Sequence, residues 1–161
     1  MSISSVVDDF LSKGIECSIN RFEKNSKFFR KEKSNLLTKV CTAKTQIFTV
    51  RGQNIMVVTD ENTIISNIKF REYFKVKPRE LSNNEIIKIT GHPSGGLSPF
   101  GLKKPLKTYI DISLKGKNNI YLCAGMKNFV VTVNYNEVIK LTCGQLVDIC
   151  EYNDYVRGVI I

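Results

Sequence analysis

The sequence predicts an α+β fold, a compact mixed and strongly curved β-sheet flanked by helices. Three observations support it. Helical and strand-like apolar periodicities are interleaved along the chain without a regular β-α alternation. The 161 residues suit one domain with a sizeable core, taken as residues 1–161. Apolar content is 42%, and no run approaches the ~18 uninterrupted apolar residues of a membrane span.

Taken in order, residues 3–13 set Val6, Val7, Phe10 and Leu11 at helical spacing, with Gly14 as C-terminal cap. Residues 16–22 alternate as a strand, and residues 29–40 resume a helical pattern through Leu36, Leu37 and Val40. Strands over 46–50 and 54–59 flank Arg51-Gly52-Gln53, a hairpin turn carrying the expected glycine. Ser66 opens a helix to about Lys75. Ser82 is an N-cap for a helix over 83–90, with Glu85 at the capping-box position. Beyond residue 101 the pattern predicts strands over 107–112, 120–124 and 129–133, a helix over 135–141 and a strand over 145–150. The tail, 152–161, reads as an extra edge strand, a lid or a contact surface.

The helix ending at Thr90 leads into Gly91-His92-Pro93-Ser94-Gly95-Gly96-Leu97-Ser98-Pro99-Phe100-Gly101. Gly95 and Gly96 permit positive φ and close approach to the main chain, while Pro93 and Pro99 fix the entry and exit directions. Such a loop offers N–H groups rather than side chains, which suits an anion or a developing oxyanion.

Charge points to the partner. The net charge is +9, and residues 21–44 hold Arg21, Lys24, Lys27, Arg30, Lys31, Lys33, Lys39 and Lys44 against Glu23 and Glu32. Further basic groups stand at Lys69, Arg71, Lys75, Lys77 and Arg79, and at Lys103, Lys104 and Lys107. Beside the glycine loop, this distribution favours an RNA-backbone surface.

Other chemistries are disfavoured. There is no GxGxxG at a strand-to-helix junction, no GxxxxGK[ST] and no G-x-S-x-G elbow. Five cysteines without C-x-x-C spacing, and a single histidine, indicate neither a disulfide framework nor a metal site, and no cofactor is implied. The cysteines read as reduced thiols, with Cys41 and Cys123 the two worth testing for reactivity. The first residues lack a secretory leader, so a cytoplasmic location without membrane attachment is expected.

Together with Ala43-Lys44-Thr45, the run Pro99-Phe100-Gly101-Leu102, then Pro105-Leu106, Tyr109-Ile110-Asp111 and Cys123-Ala124-Gly125, the loop resembles the YbaK/ProX family of aminoacyl-tRNA deacylases. That family includes free-standing Cys-tRNA(Pro) and Ala-tRNA(Pro) deacylases and the editing insertion of prolyl-tRNA synthetases. The resemblance covers residues 40–149 in order. It implies a trans-editing hydrolase acting on the ester of mischarged tRNA, with tRNA(Pro) as partner and prolyl-tRNA synthetase as a second one. The alternative is a catalytically silent tRNA- or synthetase-binding module of the same fold.

Lys44 matches the family's characteristic lysine and is expected to contact phosphate or ester. Gly95 and Gly96 are expected to supply the oxyanion donors, with Gly125 leaving room on the opposite wall. Thr45, His92, Pro99, Gly101 and Asp111 complete the expected site: Thr45 as a discriminating position, Asp111 as a partner for Lys44 or a water, Pro99 and Gly101 as loop shapers. His92 reads as a loop residue more than a general base, and Ser94 and Ser98 have no base to activate them.

Overall fold

The computed structural model describes residues 2–21 and 40–153. Helix α1 (Ser2–Ser12) is followed by β1 (Ile19–Arg21), β2 (Val40–Val50), β3 (Gln53–Asp60), β4 (Thr63–Ile65) and α2 (Asn67–Phe74). Then come β5 (Arg79–Glu80), α3 (Asn83–Thr90), β6 (Lys107–Asp111), a 3₁₀ turn (Ile112–Leu114), β7 (Asn119–Cys123), β8 (Phe129–Val133), α4 (Tyr135–Thr142), β9 (Gln145–Val147) and β10 (Cys150–Tyr152). The predicted helix over 29–40 lies outside the described residues except for Val40, which is strand.

The large sheet runs β1-β8-β7-β2-β3-β6-β9, with β5 also on β2, and it is mixed: β2/β7, β3/β6 and β6/β9 are parallel, the other pairs antiparallel. The α+β expectation therefore holds. Arg51 (φ 51°) and Gly52 (φ 78°) form a two-residue loop between paired Val50 and Gln53. Two successive positive φ values match the right-handed twist of the strands, as in a type I′ turn.

Strand alternation gives β2 two faces. Ala43 and Ile47 point into a core with Met56, Val58, Ile110, Ile120 and Leu122, covered by Val6 and Phe10 of α1 and by Val138 and Leu141 of α4. Phe48 points the other way, into a cluster with Ile55, Val57, Tyr109 and the α2 rings Phe70 and Phe74. The residues between Val40 and Phe48 on this second face, Thr42, Lys44 and Gln46, are polar, and they define the ground of the candidate site.

Several elements differ from expectation. β2 begins six residues before Gln46, and of the strand expected over 16–22 the described part is strand over Ile19–Arg21, residue 22 lying outside the described residues. The strand expected over 145–150 is two short ones, β9 and β10. β10 pairs with β4 in a separate two-stranded sheet, with Tyr152, the first tail residue, opposite Thr63; residues 154–161 of the tail lie outside the described residues. At Ser82 the side chain accepts from the Glu85 N–H, as expected of an N-cap. The reciprocal capping box is found at Asn134 and Glu137. Among the described residues, no helix is long and apolar enough to cross a membrane.

Candidate functional site

The glycine loop is built by its own backbone. Gly91 (φ 78°) caps α3 and donates to Ile87 O at 2.9 Å. Gly96 N–H donates to Pro93 O at 2.9 Å, and Gly95 between them has φ 77°, the positive third position of a type II turn. The Gly96 amide is therefore taken by the turn and is not one of the expected oxyanion donors. Gly95 is exposed, and its N–H makes no hydrogen bond among the described residues. A Cβ on Gly96 would lie 2.8 Å from Gly125 O. Gly125 thus packs directly on the loop instead of facing it across a gap.

His92 closes this loop from within. It is fully buried, and its Nε2 lies 2.7 Å from Phe100 O. A carbonyl only accepts, so Nε2 carries the proton and Nδ1 is a bare acceptor, without a partner among the described residues. Burial pushes the imidazole pKa below its ordinary value. His92 is a structural staple out of reach of a substrate.

Ser98 is also buried and accepts from Phe100 N–H at 3.2 Å. Pro99 is buried and lines a cavity of about 630 Å³ behind the loop, between α1 and the end of α4. Gly101 (φ 64°) donates to Asp9 Oδ2 at 2.9 Å, and a Cβ there would meet Ser5 C and Val6 N at 2.6 Å. It joins the loop to α1.

Lys44 stands on the polar face of β2, opposite Thr59 of β3, and its Nζ donates to Thr63 O at 2.6 Å. Around it Thr42 Oγ1, Gln46 Oε1 and Thr59 Oγ1 are buried without a hydrogen-bond partner among the described residues. Buried polar atoms of folded proteins are rarely left so; three stand in this patch, and Thr45 Oγ1 is a fourth on the other face of β2. Lys44, Gln46 and Phe48 also line a cavity of about 520 Å³ with Ile64, Ile65, Asn67, Pro78 and Glu80.

Thr45 does not join Lys44. Its neighbours in the alternation, Ala43 and Ile47, belong to the core on the opposite face. Asp111 is 1% exposed, with Oδ2 accepting from Ser113 N–H at 2.9 Å and Oδ1 from Ile149 N–H at 3.0 Å. Both oxygens are held by backbone, so it ties β6 to the segment before β10. Cys150 lies between these groups: burial and the Asp111 charge raise its thiol to about 12, while Lys44 pulls the other way.

The two halves of the expected site meet through β7. Thr42 pairs with Tyr121 at the last position of the parallel β2/β7 register, and Lys44 and Cys123 stand two residues beyond it, where strand alternation puts them on the same side as that pair. Cys123 Sγ lies 3.8 Å from Gly95 O and 3.5 Å from Met126 O, and burial raises its pKa. Lys44 and the glycine turn thus border one sheet face, although neither of the two cavities takes in both. No two of the five cysteines are bridged.

Sequence reasoning missed Thr42, Gln46 and Thr59. The signal was present as Thr-x-Lys-x-Gln over 42–46, the period-two spacing of one strand face.

The fold is a mixed α+β sheet with Lys44 on the polar face of β2 and a glycine turn beside the end of β7. The chain belongs to the aminoacyl-tRNA editing domain family, whose sequence profile matches residues 28–141. It is 30% identical to the uncharacterized protein YwhH of Bacillus subtilis, over 94% of this chain and 98% of that protein. It is also 30% identical to proline–tRNA ligase of Staphylococcus aureus over 70% of this chain, which spans only 18% of the ligase. In fold it is similar to a crystal structure described as a candidate trans-editing enzyme for prolyl tRNA synthetase, with TM-score 0.79 and 18% identity over 93% of this chain and 97% of that one.

Proposed function

We propose that this chain is a trans-editing aminoacyl-tRNA deacylase that hydrolyses the ester between a misattached amino acid and the 3′ end of a tRNA, tRNA(Pro) in the first instance. The carrying observation is the shared sheet face of Lys44 and Cys123, with Gly95 against the Cys123 thiol. Family membership and the prolyl link of two relatives support the substrate class. A cytoplasmic setting and docking to prolyl-tRNA synthetase follow from the same reading.

Water attacks the acyl carbon, the bond to the ribose oxygen breaks, and that oxygen takes up a proton. The ester is already activated, so positioning and charge stabilisation are the main tasks. The Lys44 ammonium holds a phosphate or the ester oxygen. The Gly95 N–H donates to the tetrahedral oxygen, a bond of about 3 kcal/mol in the barrier for such donors. His92 is buried and bonded, so the neighbouring ribose hydroxyl carries the proton in place of a protein base.

A panel of Cys-, Ala-, Ser- and 2-aminobutyryl-tRNA(Pro) tests this, with the wild type and Lys44→Ala in parallel. Turnover of one member that collapses in the variant supports the deacylase. Binding without turnover supports a silent tRNA-binding module, a reading favoured by the Lys44 ammonium being already bonded to Thr63 O.

A further inference from the structure

The cavity behind the glycine loop takes no part in the chemistry described above. At about 630 Å³ it falls in the size range of ligand pockets, ~300–1,000 Å³, and it lies between α1, the end of α4 and the segment that leads into β6. Its floor is apolar, made by Pro99, Leu102, Pro105, Leu106 and Leu141. The charged groups around that floor decide what it can hold.

Two of them neutralise each other. Lys13 Nζ donates to Asp9 Oδ1 at 2.7 Å and to Leu141 O at 2.8 Å, while Asp9 Oδ2 accepts from Gly101 N–H at 2.9 Å. These bonds tie α1, α4 and the loop together around the cavity and leave neither group for a ligand. Lys107 Nζ lies 5.6 Å from the centroid of the Tyr109 ring, and Tyr109 belongs to the cluster on the opposite face of the sheet. Strand alternation therefore turns the Lys107 ammonium away and Thr108 toward the cavity. Asp8 remains. It is exposed, it lines the cavity, and its carboxylate has no hydrogen bond or ion pair among the described residues. α4 ends beside it at Thr142, and a helix C-terminus carries a partial negative charge. In a chain of net charge +9, this apolar hollow is thus bordered by uncompensated negative charge. An anion is repelled here, and an uncharged ligand leaves the Asp8 carboxylate without a partner.

We infer that this cavity binds a small primary amine with an apolar body, its ammonium paired with the Asp8 carboxylate and its body on the floor of Leu102, Leu106 and Leu141. The site is apart from the sheet face of Lys44 and Gly95, so the assignment does not depend on the deacylase reading. It adjoins the loop from behind. Gly101 is bonded to Asp9, and the Phe100 ring packs edge to face on Phe10 of α1 with centroids 4.9 Å apart, so the Gly101 amide reports an occupant.

The test is an NMR titration at neutral pH with phenethylamine, phenethyl alcohol and phenylpropionate, which share an apolar body and differ in charge. The wild type, Asp8→Asn and Lys107→Ala are compared. The wild type is expected to bind the amine about threefold more tightly than the alcohol, as one partly exposed ion pair allows, and the carboxylate more weakly than either. Shifts should centre on the amides of Leu102, Leu106 and Thr142, with Gly101 following. Asp8→Asn, a change at an exposed position that the fold tolerates, should bring the amine to the level of the alcohol. Lys107→Ala should leave the order unchanged. Equal binding of amine and alcohol by the wild type, a preference that survives Asp8→Asn, or shifts centred on Lys44 and Gly95 would each overturn the assignment.

Discussion

The missing Cβ of Gly96 would stand 2.8 Å from the carbonyl oxygen of Gly125 and 3.0 Å from Met126 Cα. Both obstacles are backbone, so the glycine turn and the β7–β8 connection touch main chain to main chain. Gly96→Ala must push the two apart, and overpacking of this kind costs about 1–3 kcal/mol. At Gly95 the nearest atoms are side-chain carbons of Lys127 at 3.7–3.8 Å, so Gly95→Ala meets only the strain of its positive φ. Urea unfolding of both variants checks this, with Gly96→Ala expected to be the less stable. A Gly96→Ala protein as stable as wild type would show that the contact yields freely.

Lys44 is half-buried and bonded to a single carbonyl, so its removal should affect chemistry far more than folding. Lys44→Met is expected to lower kcat/KM on the preferred mischarged tRNA by roughly 10²–10³-fold, the range for loss of one oriented donor. The loss in stability should stay near 1 kcal/mol, that of one hydrogen bond. Lys44→Arg should not restore activity, since a planar fork replaces a point charge. Steady-state kinetics beside thermal unfolding separate the two effects, and a fully active Lys44→Met protein removes Lys44 from the mechanism.

What was legible in the chain was local. The Arg51-Gly52 hairpin, the Ser82 cap, the Gly91 stop and the glycine loop each follow from residues a few positions apart, and all four are found. The start of β2 was not legible, because Cys41, Ala43 and Thr45 are too small or polar to show the alternation that Ile47 and Phe48 make plain. The roles of Asp111 and Gly101 depend on amides and helices 38 and 92 positions distant in the hydrogen bonds Asp111 to Ile149 and Gly101 to Asp9. No window along the sequence holds both partners. Gly96 was misjudged for another reason: composition shows that a glycine loop can offer amides, whereas the turn type decides which of them remain.

Gly101 is the point where the loop meets α1. Its φ of 64° disfavours any side chain, and an added Cβ would fall 2.6 Å from Ser5 C and Val6 N. Strain and overlap together predict a loss of about 2–4 kcal/mol for Gly101→Ala. Asp9→Asn should be mild, because the amide oxygen still accepts from Gly101 N–H, and the Asp9–Lys13 pair it breaks is partly exposed. Denaturant midpoints of the two variants give the comparison; a large loss in Asp9→Asn would mean that the carboxylate charge itself holds α1.

Cys143 follows α4 in a left-handed conformation, φ 53° and ψ 32°, a C-terminal position at which glycine avoids the Cβ penalty. It is exposed, so the thiol contributes little packing. Cys143→Gly is expected to stabilise the protein by about 1 kcal/mol, read as a rise in thermal midpoint. The same exposure makes Cys143 the first thiol to react with iodoacetamide, while Cys150, buried and raised to about 12, should react last. Mass spectrometry of partially alkylated protein gives the order, and early modification of Cys150 would contradict its burial.

His92 predicts a dependence of stability on pH whose sign follows from its burial. The fold holds a neutral imidazole with its pKa below the ordinary value, whereas the unfolded chain titrates near 6.5. Above about pH 6.5 neither state carries the proton, and the full stability is present. As the pH falls below that value, the unfolded chain takes up a proton that the fold refuses, so stability drops, by at most about 1.4 kcal/mol per pH unit for one group. The decline ends once the pH passes the folded-state pKa. Carboxylates add their own dependence at lower pH, so the comparison is with His92→Gln, whose amide N–H can still serve Phe100 O but does not titrate. Urea midpoints from pH 7.5 to 5 should fall less steeply in His92→Gln than in wild type. Parallel slopes would mean that the imidazole gains its proton inside the fold at the ordinary pKa, and that the bare Nδ1 is not as isolated as its burial requires.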